Sequence, residues 1–376
     1  MTQRIHIAGG GIMGMGAAWR LASAGLEVVV HDPAGPGQET SRASAGMLAP
    51  RAEVRHDEED LLVFGARSQA MWPDWVARLR EETGIDCDLR SPGTLVLAAD
   101  EDERRGIEHH LRWLERIDVP FDALDGDDIR RLEPDLSHHV LSGALIHGDG
   151  QVDNRAFLHA LHVRLQSLGV TLLSASRITR VVADGGRVTA VETADGERHD
   201  TDAALIAAGA WSRQVRIDGL PPLPVRPVRG QLLAFGAADR HGQRTTLRHA
   251  IHTPNVYLAQ KGDGTILAGA TMEERGFERE TNTGALYLHL RETRRLIPQV
   301  DELPLEEIRI GFRPTTRDNR PLLGETPVRG AWCLTGHFRN GIQQAPASVD
   351  AVVDLILGRT PPADTLPFCP SRFLNR

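Results

Sequence analysis

Gly9, Gly11 and Gly14 stand at G-x-G-x-x-G spacing directly behind the apolar run 5–8. The first glycine permits a tight turn. The second lets backbone N–H groups approach a pyrophosphate, and the third lets the next helix press on the strand. The N-terminus of that helix then attracts the anion. Asp32 closes a second apolar run at 28–30, about 20 residues on, where a carboxylate accepts both ribose hydroxyls of a dinucleotide. An acid there disfavours a 2′-phosphate. NADP is thereby argued against, while FAD and NAD both stay open.

These residues need a strand–turn–helix–strand unit over 4–32, with Gly16, Ala17 and Ala18 where the helix meets the sheet. Residues 33–50 follow as a loop of small side chains that lets backbone approach a ligand closely. Further helices are expected over 58–83, kinked or broken at Pro73, and over 102–117, 127–132, 155–168, 284–296 and up to about 357. Strands are expected at 94–98, 141–146, 170–173, 177–183, 187–193, 203–208, 307–312 and 331–335, with antiparallel alternation through 228–270. The cluster Pro221, Pro222, Pro224 and Pro227 marks a crossing between units. The expected fold class is α/β plus α+β. A Rossmann-like nucleotide-binding domain, formed by 1–85, 141–220 and 321–376, is interleaved with an antiparallel-sheet substrate domain formed by 86–140 and 221–320.

Composition excludes other functions. The formal net charge is −8 and aromatics are 5%, which argues against a nucleic-acid partner. Lys261 is the sole lysine, so an arginine carries meaning only through its surroundings. Cys87, Cys333 and Cys369 are odd in number and lack CxxC spacing, giving neither a disulfide framework nor a zinc site. The pairs His109-His110 and His138-His139 are adjacent, so their side chains diverge and read as solvated; no metal is expected. No apolar run reaches a membrane span, and the first apolar run leads into glycines with no cleavage pattern behind it. A cytoplasmic protein without a membrane partner is the expectation.

Four later segments choose the cofactor: Thr40-Ser41-Arg42-Ala43-Ser44-Ala45-Gly46-Met47-Leu48, Ala207-Ala208-Gly209-Ala210-Trp211-Ser212, Gly311-Phe312-Arg313-Pro314-Thr315-Thr316-Arg317-Asp318 and Gly336-His337-Phe338-Arg339-Asn340-Gly341-Ile342. In this order the chain resembles the D-amino-acid-oxidase superfamily of FAD enzymes, within it the bacterial glycine-oxidase branch that serves thiamine biosynthesis. The resemblance implies non-covalent FAD. Its ADP half would lie on the glycine loop with Ile12, Met13, Asp32 and Pro33, and its flavin along Thr40, Ser41, Ala45, Gly46 and Met47. The Ile178 backbone would meet the adenine. His337, Phe338, Arg339, Asn340, Gly341, Ile342 and Gln343 would bring backbone N–H groups to the flavin N1/C2=O edge, where reduced flavin gathers negative charge.

The same resemblance assigns a substrate carboxylate to Arg313, whose guanidinium fork suits bidentate binding, and to Tyr257. Arg339 would approach from the flavin side and Met272 would form part of the wall. It implies oxidative deamination of a small amine or amino acid (glycine, sarcosine, small D-amino acids) by hydride transfer to flavin N5. Dioxygen would be the acceptor and hydrogen peroxide a product, with no side-chain acid–base catalyst required, and relatives suggest a tetramer. Two departures stand out. Gln260-Lys261 follows Tyr257-Leu258-Ala259 where the branch has Pro-Arg or Pro-Lys, and the Arg313 region has no cysteine of the kind that links flavin in sarcosine oxidases. Three alternatives are kept. One is an FAD dehydrogenase passing electrons to a quinone or carrier. A second is an NAD-dependent hydroxyacid dehydrogenase, whose loop Gly11-Ile12-Met13-Gly14 also resembles. The third is an RNA-modifying protein on the same fold.

Overall fold

The chain is described by a computed structural model that covers residues 4–374. Strand β1 (Arg4–Ala8), helix α1 (Ile12–Ser23) and strand β2 (Glu27–Asp32) form the opening unit. The helix begins at Ile12 because Gly9 at φ +104° turns the chain immediately after β1. β1 and β2 sit inside a six-stranded sheet whose order is 322–325, 331–335, 203–206, β1, β2, 171–174, parallel except at its first pair. The parallel strands are buried on both faces, as their unbroken Val/Ile/Ala runs require. On one face α1 packs against the helices Glu59–Thr83, Asn154–Ser167 and Ala345–Ile356 around Met15, Trp19, Phe64, Trp72 and Phe157. The other face is covered by a four-stranded sheet, 198–200, 187–193, 178–184, 216–217, through Val181, Val188, Val191 and Ile206.

The helix Glu59–Thr83 continues through Pro73 without a break. A proline removes one helical N–H donor, and the buried rings of Trp72 and Trp75 beside it hold the segment helical through packing. The second large sheet has eight strands in the order 305–315, 226–235, 266–269, 257–260, 250–252, 94–98, 142–146, 121–125. All its pairs are antiparallel except 250–252 with 94–98. Ser142–Ile146 therefore lies in this sheet, whereas the sequence boundary at 141 expected it to return the chain to the nucleotide-binding unit. Strand alternation states which residues face inward, not which of two sheets receives them. One face of the sheet is closed by the helices Gly126–Leu132 and Thr283–Leu296; the other meets the loop after β2 through Leu232, Ala234, Leu267 and Ala45. No described helix is long and apolar enough to cross a membrane.

Candidate cofactor and substrate site

A cleft of about 450 Å³ runs from the glycine loop across the Ser44–Met47 stretch to the face of the eight-stranded sheet. Its first end is built by β1, α1 and β2. A Cβ at Gly14 would sit 1.9 Å from the Gly9 carbonyl oxygen, and one at Gly9 would sit 2.5 Å from the Ala207 oxygen. Gly14 thus lies beneath the loop and packs it, while Gly9 and Gly11 line the cleft with Ile12, Met13, Asp32 and Pro33. Asp32 Oδ2 accepts from the Gly10 amide at 2.7 Å and Oδ1 from the Ala34 amide at 2.9 Å. Burial pushes this carboxyl above its usual range, and the two amides oppose the shift. Each oxygen keeps a lone pair for a ribose hydroxyl. The Ile12 amide donates to Ser41 Oγ at 3.0 Å, tying the helix start to the next loop.

Thr40, Ser41, Ala45, Gly46 and Met47 all line the middle of the cleft, and Ile178 lines its nucleotide end. Thr40 Oγ1 donates to the Phe312 carbonyl at 3.0 Å and accepts the Phe312 amide at 3.1 Å, fastening this loop to the strand that carries Arg313. The segment 337–343 divides in two. The Phe338 amide donates to Pro314 O at 2.7 Å and the Asn340 amide to His337 O at 2.9 Å, so neither is available to a ligand, and Asn340 lies off the cleft wall. The expectation that 337–343 brings backbone N–H groups to the flavin edge is narrowed accordingly: the Phe338 amide pairs with the neighbouring strand and the Asn340 amide closes a turn. The amides of Gly341, Ile342 and Gln343 donate to no protein acceptor among the described residues, and all three residues line the cleft ahead of the helix Ala345–Ile356. Buried amides without partners at a helix N-terminus are the donor set that an anionic ring edge requires.

At the far end the cleft meets Arg313, Tyr257, Arg339, Gln231 and Glu53. Arg313 Nη1 donates to the Thr271 carbonyl at 2.8 Å. The rest of its fork makes no hydrogen bond among the described residues, which leaves it open to a ligand. Gly230 makes room for the fork, since a Cβ there would fall 2.4 Å from Nη1. Tyr257 faces Gly269 across the sheet, whose missing side chain leaves space for the phenol. Burial pushes the Tyr257 hydroxyl up to about 12, against the pull of Arg313, so it stays a donor at neutral pH. His252, the residue directly opposite Tyr257 on the neighbouring strand, is held below its usual value by burial, with Glu53 opposing and Arg339 reinforcing.

Arg339 reaches the cleft, but its Nη2 is engaged by the Glu58 carboxylate and by the Glu53 carbonyl at 2.8 Å. The Glu53 carboxylate lies 3.8 Å from its Nε. Met272 is not at the site: it is 58% exposed and outside the cleft. The strand 266–269 ends before it, and Thr271 and Glu273 on either side bond the backbone of Gln231 and Arg229. Glu53 was missed by sequence reasoning; a carboxylate in a loop of acids and arginines gives no signal until the fold turns it inward. His110, read as solvated with His109, instead packs between His56 and Trp113, where burial pushes it down to about 4.

The cleft thus joins a dinucleotide-binding unit to a second sheet that presents the Arg313 fork. A family model described as FAD dependent oxidoreductase (DAO) matches residues 4–355. The glycine oxidase of Pseudomonas putida is 31% identical over 98% of this chain and 99% of its own. The bifunctional protein ThiO/ThiG of Trichormus variabilis is 31% identical over 95% of this chain, and the chain spans about half (53%) of that longer relative. The crystal structure of glycine oxidase from Geobacillus kaustophilus superposes with a TM-score of 0.90 over 99% of both chains at 29% identity. The chain belongs to the DAO family, and its cofactor is FAD. The NAD-dependent alternative is overturned by that family match. The residues present fit FAD: unpartnered amides at 341–343, glycines a Cβ would close, and a buried carboxylate at the ribose position.

Proposed function

We propose that the protein oxidatively deaminates a small amino acid or amine (glycine, sarcosine or a small D-amino acid) with dioxygen as acceptor. The observation that carries this reading is the open Arg313 fork beside Tyr257 at the end of the cleft. Arg313 and the Tyr257 hydroxyl hold the substrate carboxylate, giving charge-assisted bonds on a planar fork. Glu53 sets a negative charge against Arg313, so an ammonium–carboxylate zwitterion is complementary to this end. Arg339, paired through Nη2 with Glu58, keeps Nε and Nη1 without hydrogen-bond partners among the described residues and adds donors to this wall. Bound FAD supplies the acceptor for the two electrons of the Cα–H bond. The chain's own contribution is to hold that bond in place and to keep the developing charge near the 341–343 amides. The net reaction consumes amino acid, dioxygen and water and yields oxo acid, ammonium (methylammonium from sarcosine) and hydrogen peroxide. The name of the Pseudomonas putida relative supports glycine as a substrate; thiamine biosynthesis as a setting, a homotetramer and a cytoplasmic location belong to the same reading.

Anaerobic titration of the yellow protein with glycine, sarcosine and D-alanine tests it. Bleaching by one of them, followed by peroxide on admitting air, is the expected result. Bleaching that air does not reverse would instead establish a dehydrogenase serving another acceptor. A flavin that no amine bleaches would overturn the substrate class.

A further inference from the structure

Lys261 is the sole lysine of the chain and is 7% exposed, directly after the strand Tyr257–Gln260. A buried ammonium is costly unless its donors are satisfied. Here Nζ donates to the Val152 carbonyl at 2.9 Å and to the Ala45 carbonyl. The Val152 amide returns a bond to Gly46 O at 2.9 Å, so two consecutive carbonyls of the flavin-side loop are drawn away from the cleft. Space is tight: a Cβ on Gly46 would lie 2.1 Å from Val152 O and 3.0 Å from Nζ. The peptide joining Ala45 to Gly46 is trans, and the N–H of a trans peptide points opposite its carbonyl. The Gly46 amide, which has no acceptor among the described residues, is therefore directed away from Lys261, and Gly46 lines the cleft.

We propose that Lys261 is a positioning residue for the flavin: from behind the loop it orients and polarises the Ala45–Gly46 peptide so that the Gly46 N–H favours electron density arriving on the ring. The ammonium withdraws charge from the Ala45 oxygen, and the peptide transmits that polarisation to its N–H. The charge sits among Asp153, Asp88, Arg90 and Arg309, which face it from neighbouring segments. Burial lowers it to about 8, so it is cationic at neutral pH. The inference rests on FAD binding and not on the amine substrate.

The test uses the FAD-loaded protein with the variants Lys261→Met, Lys261→Gln and Lys261→Arg, read by the midpoint potential of the bound flavin and its affinity for sulfite. Neither readout requires an amine, so failure of the substrate assignment leaves both intact. Lys261→Met is expected to shift the two-electron equilibrium towards oxidised flavin about tenfold, roughly 30 mV, and to weaken sulfite binding by a similar factor. Lys261→Arg should restore both. Lys261→Gln, which keeps donors for the two carbonyls without the charge, should fall between them. If Lys261→Met fails to fold, the Arg and Gln pair decides: a wild-type potential in Gln overturns the proposal, and a lowered one with Arg near wild type supports it. Wild-type potential and sulfite affinity in a folded Lys261→Met protein would likewise overturn it.

Discussion

Arg313, the proposed carboxylate receptor, is left partly unsatisfied by its neighbours. One nitrogen is anchored on Thr271 O, and Gly230 offers the volume for the rest. Hydrogen bonds to charged groups contribute about 1.5–3 kcal/mol each. Arg313→Ala should therefore lower kcat/KM by roughly two orders of magnitude, with FAD still bound and the visible spectrum unchanged. Gly230→Ala tests the same site without touching a charge. Its methyl displaces the guanidinium, and a loss of about tenfold or more in kcat/KM is expected; unchanged kinetics would show that the fork does not need this position. At this scale the motif residues were legible in sequence because their spacing is local. Glu53 and the engagement of Arg339 by Glu58 were not, since both depend on a loop folding back onto a segment some 280 positions later.

At the scale of elements, β1, α1 and β2 form a cradle that tolerates no extra atom at Gly14. Gly14→Ala forces a carbon to 1.9 Å from Gly9 O, so the strand–helix turn must open. The expected result is loss of FAD during gel filtration and a lower Tm, measured side by side with wild type. The same unit carries a histidine cluster. His6 Nδ1 and His31 Nε2 are 2.9 Å apart, His31 Nδ1 lies 2.8 Å from Ser176 Oγ, and the His199 ring is centred 5.3 Å from that of His6. Burial pushes His6 down to about 3 and His31 to about 4 from 6.5, with Arg4 reinforcing the first shift and Asp195 opposing the second. The unfolded chain then binds more protons than the native one between these values. Stability from the cluster is complete above pH 6.5 and is lost as pH falls towards 4, by at most about 1.4 kcal/mol per pH unit for each ring. Unfolding midpoints in urea measured from pH 7 to 4.5 should fall, and His6→Val should flatten that slope; a slope unchanged by the variant would remove the cluster as its cause.

The whole molecule is organised by a cleft that neither large sheet completes alone. The glycine-loop end belongs to the six-stranded sheet and the Arg313 end to the eight-stranded one, with Thr40 bonded to Phe312 between them. FAD is therefore expected to stabilise both at once. At free FAD about 100-fold above Kd, linkage adds about 2.7 kcal/mol to the folded state, for a rise in Tm on the order of 5 °C over the apoprotein. Two separate melting transitions that respond differently to FAD would show that the sheets are not coupled through it.

By itself the sequence determined what local physics controls. The glycine loop and its acid, the helix spans from periodicity, the small-residue loop over 40–48 and the Arg313 strand each rest on interactions within a few residues, or on motifs whose spacing is their geometry. Tertiary structure alone decided the rest. It assigned Ser142–Ile146 to the second sheet, carried the helix through Pro73, put Met272 outside the cleft, turned Glu53 into it, and withdrew the amides of Phe338 and Asn340 from the ligand side. Each of these depends on which distant segment packs against the residue. Side-chain direction along a strand is encoded every two residues, but the partner that fills the facing space is set only when the whole chain has closed.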